Sequence, residues 1–214
     1  GQSKSIIHHM PLAFVISPQP WNGFPVSKHH YALTLASRQW NVVFVDPPTD
    51  LGGAGRMEVE ETAVPGLSVL RYQTFFPYAL KFRSRKLFDY LMQKQARRIT
   101  ARIGRPDLVW DFDNAYQFAD LCAFGAGITF FHLVDDTNDK NRGAKNADHV
   151  FYLNESFCLH VGGNPASGFQ IGHGLSKAHE IAARNLPLEQ YNARDRSNPH
   201  IGFVGNLAAA WIDW

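Results

Sequence analysis

The sequence predicts a doubly wound α/β domain built on a mainly parallel, Rossmann-like sheet. Short apolar runs bounded by turn residues recur from one end of the chain to the other. The first two are nearly all apolar rather than alternating, as strands covered on both faces require. Several of the gaps between runs carry helical periodicity, the pattern of βαβ units.

The expected strands are Leu12–Ser17, Val42–Asp46, Leu67–Arg71, Asp107–Phe112, Ile128–Leu133, His149–Asn154 and Gly168–Ile171. A helix is expected over Lys28–Gln39, where Tyr31, Ala32, Leu35 and Ala36 share a face and Ser27 can cap the exposed N–H groups. The longest helix falls between Arg83 and Ile103, with Leu87, Leu91, Ile99 and Ile103 on one stripe and Phe88, Met92 and Ala96 beside it. Gly104 and Pro106 end it. A further helix is expected over Tyr116–Phe124, and another from near Glu155, with Asn154 or Ser156 as cap.

Composition agrees with a folded globular protein: 45% of the 214 residues are hydrophobic and 19% charged. A formal charge of +2 is too small to argue for nucleic acid. Cys122 and Cys158 show no C-x-x-C spacing, so neither zinc nor thiol redox chemistry is indicated and a reducing cytoplasm is expected. No apolar run approaches the roughly 20 residues that cross a bilayer.

After Leu186 the texture turns polar, and Pro187–Pro199 reads as a linker with proline at both ends. Ile201–Gly205 then reads as a new strand and glycine turn, and Leu207–Trp214 as the start of a helix. The expected organisation is a Rossmann-like domain over residues 1–186, a linker over 187–199, and the opening of a second, truncated domain over 200–214.

In an open parallel sheet, ligands bind beyond the carboxyl ends of the strands. After the first strand comes a loop with Trp21, Asn22 and Gly23 that leads to a helix N-terminus at Ser27-Lys28-His29-His30, a place for phosphate or sugar. The alternative is a loop merely packed by Trp21 and its prolines. Asp46 ends the second strand as an NAD ribose ligand would, but the first loop lacks G-x-G-x-x-G, which disfavours dinucleotide redox chemistry. After the fifth strand, His132, Asp135, Asp136 and Asp139 offer a base, a sugar-hydroxyl acceptor or a metal ligand. Helix caps and turns use the same residue types, and the spacing matches no standard calcium loop. Gly172-His173-Gly174 permits a close backbone approach or simply a tight turn. The stretch 81–105 gathers Lys81, Arg83, Arg85, Lys86, Lys94, Arg97 and Arg98 against Asp89 alone. That surface suits an anionic membrane or lipid phosphate, or else is a solvated helix face.

The order of motifs resembles bacterial two-domain glycosyltransferases of the GT-B type, especially those that make cell-surface polysaccharides. The residues concerned are Ser27-Lys28-His29-His30-Tyr31-Ala32, Val42-Val-Phe-Val-Asp46-Pro47-Pro48, Asp135-Asp136, Ala147-Asp-His-Val-Phe-Tyr-Leu-Asn154-Glu155, Gly172–Ser176 and Ile201–Trp214. Ser27 and Lys28 depart from the family's R-P, and Gly172–Ser176 departs from its N-G-V-D.

The resemblance implies an acceptor-binding N-terminal domain, most of the nucleotide-sugar held by a C-terminal domain, and transfer in the cleft between them. It implies a cytoplasmic enzyme working at the inner membrane face on a saccharide or lipid-linked acceptor, with no cofactor and no metal. Asp135, Asp136 and His132 are then the catalytic candidates. Trp21, Asn22, Gly23, His30, His173 and Gly205 are the substrate-binding candidates. Residues 1–214 alone would lack appreciable activity. The competing expectation is a non-enzymatic sugar- or nucleotide-binding α/β module.

Overall fold

The computed structural model describes residues 10–135, 147–153, 168–172, 174 and 177–185. The chain divides into two compact units, Gly1–Gly174 and Leu175–Trp214. The expected linker and the Ile201–Trp214 stretch lie outside the described residues, as does the helix expected from Glu155.

The first unit holds one eight-stranded sheet. Its strands are β1 (Leu12–Ile16), β2 (Asn41–Val45), β3 (Met57–Glu61), β4 (Leu67–Tyr72), β5 (Leu108–Asp111), β6 (Ile128–Leu133), β7 (His149–Tyr152) and β8 (Gly168–Gln170). They lie in the order β3-β4-β2-β1-β5-β6-β7-β8. All pairings are parallel except β3 with β4. Among the described residues of this unit, the helices are α1 (Ser27–Ser37), α2 (Leu80–Arg83) and α3 (Arg85–Ile103). The second unit contributes α4 (Lys177–Arg184).

Strand alternation sorts the core into two layers. Phe14 and Ile16 of β1, Val43 and Val45 of β2 and Leu70 and Tyr72 of β4 face Phe88, Met92, Ala96 and Ile99 of α3. Val15, Val42, Phe44, Leu67 and Val69 face Ala32 and Ala36 of α1 on the opposite side. The central strands β1 and β2, sandwiched in this way, have no solvated face, which is why they read as unbroken apolar runs. The expected doubly wound class is the observed one.

Local chemistry moves some boundaries. Helix α1 begins at Ser27, and no side-chain hydroxyl caps it; instead His29 Nδ1 accepts the Val26 N–H at 3.1 Å. This is the reciprocal half of a capping box, with imidazole in place of Glu or Gln. The helix expected over Tyr116–Phe124 shrinks to a 3₁₀ turn at Leu121–Phe124. Asp113 accepts the N–H groups of Ala115 and Gln117, and Tyr116 adopts φ of 53°. Those groups are therefore withdrawn from any helix. Strand β3 is a polar edge, Met-Glu-Val-Glu-Glu, that carries no apolar run. Among the described residues, no helix is long and apolar enough to cross a membrane.

Candidate functional site

Strand β1 is where the winding reverses. The chain leaves it through α1 to β2 and β4 on one side, then returns along α3 to β5 on its other side. The crevice beyond the carboxyl ends of β1 and β5 is thus the topological switch point, the place where open α/β sheets bind ligands.

The loop after β1 is pinned from below. Trp21 N–H donates to Asp46 Oδ1 at 2.8 Å, and the Trp21 ring lies 5.0 Å from Phe44 and 5.3 Å from His29. Asp46 is 6% exposed, and burial raises its pKa to about 6 despite the Trp21 N–H and the Arg71 guanidinium. His29 is buried and burial lowers its pKa, so the neutral ring that accepts the Val26 N–H is the favoured form. Asn22 and Gly23 are left exposed at the tip of this loop.

Lys28 stands in the first turn of α1, 3% exposed. Its ammonium makes no ion pair with any described residue, and burial lowers its pKa while Asp135 and Asp113 act against that shift. A buried cation beside free helix N–H groups favours an anionic ligand. His30, two residues on, is exposed.

The floor of the crevice comes from β5. Asp111 Oδ1 accepts Asp113 N–H at 2.8 Å, and Asp113 accepts Ala115 N–H at 2.8 Å and Gln117 N–H at 2.6 Å. Both carboxyls are buried and burial pushes both pKa values up. Asn114 turns outward and donates to Asp135 Oδ2 at 2.7 Å. Asp135 thereby presents an exposed, oriented carboxylate beyond β6, fit to accept a hydrogen bond or proton from a hydroxyl.

His132 lies deeper, on β6, in an aromatic layer with Tyr31, Trp110, Phe112 and Phe151 at ring distances of 4.9 to 6.1 Å. Of the expected site residues, the structure sets Trp21, Asn22, Gly23 and His30 around the α1 entrance and Asp135 across from them. Asp136, His173 and Gly205 lie outside the described residues. Lys28, Asp113 and Asn114 were not singled out as site residues by sequence reasoning. A D-x-D-N run closing an apolar strand is the signal that marks the latter two. Among the described residues, no group of three or more His, Cys, Asp or Glu is arranged to hold a metal ion.

A neighbouring cleft of about 480 Å³ opens at the same edge of the sheet, lined among others by Pro48, Asp50, Gln73, Phe75, Phe76 and Tyr78. Tyr78 O–H donates to Gln117 Oε1 at 2.9 Å and accepts from Lys81 Nζ at 3.1 Å, tying this cleft to the loop after β5.

These features define a doubly wound α/β domain with a polar switch-point crevice. No protein-family model matches the sequence, and no curated protein sequence matches it significantly. Among solved structures, the chain is similar to an E. coli trehalose-6-phosphate structure bound with UDP-2-fluoro glucose. The TM-score is 0.52 at 10% identity, over 85% of this chain and 53% of that one. It also matches an α,α-trehalose 6-phosphate synthase from Burkholderia multivorans, with TM-score 0.49 and 13% identity, over 72% of this chain and 42% of that one. The chain therefore spans about half the length of the structures it matches. At these identities the likeness is one of fold alone: a Rossmann-like, doubly wound α/β sheet.

Proposed function

We propose that this chain is the N-terminal, acceptor-side half of a GT-B glycosyltransferase. It would move a sugar from a nucleotide-sugar to a saccharide or lipid-linked acceptor in cell-surface polysaccharide synthesis, at the cytoplasmic face of the membrane. The observation that supports this best is the switch-point crevice, where buried Lys28 at the α1 N-terminus faces the Asn114–Asp135 pair. In this reading Asp135, Asp136, His132 and His30 position the acceptor hydroxyl and handle its proton. Trp21, Asn22, Gly23 and His30 shape the acceptor entrance. His173 and Gly205 remain substrate-binding candidates, and the donor is held mainly by a second domain. Contact with an anionic membrane through the basic helices would bring a lipid-linked acceptor within reach.

The test is sugar transfer by the complete protein carrying Asp135→Asn, which keeps an acceptor for Asn114. Loss of a general base is expected to lower kcat/KM by about 10²–10⁴-fold with the fold intact. Unchanged turnover would remove Asp135 from the mechanism and favour the sugar- or nucleotide-binding module. Vigorous transfer by residues 1–214 alone would overturn the two-domain reading.

A further inference from the structure

The segment from Leu80 to Ile103 carries eight Lys and Arg residues against the single carboxylate of Asp89. The structure divides these cations into two groups. Arg85 is tied to Asp89 and to the Tyr116 carbonyl, Arg98 to the Gly55 carbonyl, and Lys81 to Tyr78. Arg83, Lys86 and Arg97 are exposed and make no ion pair or hydrogen bond with any described residue. Lys94 reaches only across the Tyr90 ring, 4.7 Å from its centroid.

Apolar groups accompany the free cations. Phe82 on α2 is 81% exposed, and Leu87 and Tyr90 on α3 are also exposed. At 3.6 residues per turn, Lys86, Leu87, Tyr90, Lys94 and Arg97 fall on one stripe of α3, opposite the Phe88, Met92, Ala96 and Ile99 stripe that enters the core. Leu87, expected from the sequence to pack inward, lies on this outer face. A merely solvated basic face has no need of an exposed phenylalanine, leucine and tyrosine among its charges. Free cations interleaved with apolar groups match the charge and the shallow apolar depth of an anionic bilayer surface.

We infer that the outer face of α2 and α3 docks this protein on an anionic membrane, with Phe82, Leu87 and Tyr90 entering the interface and Arg83, Lys86, Lys94 and Arg97 meeting lipid phosphates. The patch adjoins the functional edge of the sheet. Helix α2 is bonded through Lys81 to Tyr78, which lines the cleft beyond β2 and β4, and Arg85 holds the loop after β5. Docking there holds the cleft close to the bilayer, where a lipid-linked acceptor resides. The inference deepens the transferase reading and rests on it only for that last step, because vesicle binding and sugar transfer are measured separately and each can fail alone.

The experiment is sedimentation of the purified protein with phosphatidylcholine vesicles, with and without phosphatidylglycerol, at low and high salt. Partition is expected only with the anionic lipid and is expected to fall with salt. Lys86→Gln, Lys94→Gln and Arg97→Gln should each weaken it roughly fivefold, and all three together about a hundredfold. Phe82→Ser should weaken vesicle binding without altering any binding of inorganic phosphate. These positions are exposed, so the thermal midpoint serves as the folding control. The inference is overturned by absence of partition, by partition indifferent to lipid charge, or by triple-variant binding equal to the parent. It is equally overturned if inorganic phosphate or nucleic acid binds through the same cations while vesicles do not.

Discussion

Asp46 joins the end of β2 to the loop after β1, and it does so at an energetic cost. Its pKa stands at about 6 in the fold, against 3.8 for the free group. Above about pH 6 the folded chain therefore holds a buried charge that the unfolded chain would hydrate. As pH falls from about 6 to about 4, the folded state takes up a proton before the unfolded state does, so this group's penalty is relieved on acidification. The gap between the two pKa values is worth about 3 kcal/mol. Asp46→Asn keeps the acceptor for Trp21 N–H and removes the ionisation. It gives up a 3.9 Å contact with Arg71, which retains its 2.6 Å pair with Glu60. The variant should be more stable than the parent by about 1–3 kcal/mol near pH 8, with the difference closing toward zero near pH 4. Urea denaturation of both proteins across that range measures it, and the subtraction cancels Asp111 and Asp113, which titrate in both. A variant less stable at pH 8, or a difference that does not change with pH, refutes the reasoning.

Lys28→Met should raise stability at neutral pH by about 1–3 kcal/mol while abolishing anion binding in the crevice, the mark of a residue kept for its charge. Because burial lowers the Lys28 pKa, the gain should shrink as alkaline pH neutralises the folded lysine, and equal thermal midpoints at pH 7 would count against it. Gly127→Ala should cost about 1–3 kcal/mol in urea denaturation, since its new Cβ would meet the Asp107 carbonyl oxygen at 2.9 Å, and backbone cannot swing aside.

The sheet was readable because burial on both faces leaves little room for polar residues in β1, β2 and β4. Strand β3 escaped for the opposite reason: its residues are half-buried or exposed, and Glu60 is held by Arg71, a partner that only the folded pairing supplies. The same limit applies at the site. Asp135 stood out because carboxylates cluster after β6, whereas Lys28 stood only as one residue of a helix N-terminus suited to anions. Its meaning depends on Asp113 and Asp135, separated from it by 85 and 107 positions in sequence and brought near by the crossover of α3. Asp113 was not singled out in the sequence, yet its carboxyl is the acceptor that replaces a helix after β5.

The acidic border on β3 bears on how the sheet ends. An outermost strand is a template onto which another chain can add, and flat apolar borders invite that addition. Here the antiparallel β3 closes the row of parallel strands with Glu58, Glu60 and Glu61 spread along it. A second copy approaching border to border would set glutamates against glutamates. The strand thus discourages self-addition, and the molecule keeps its sheet from growing on that side without spending a helix to cover it.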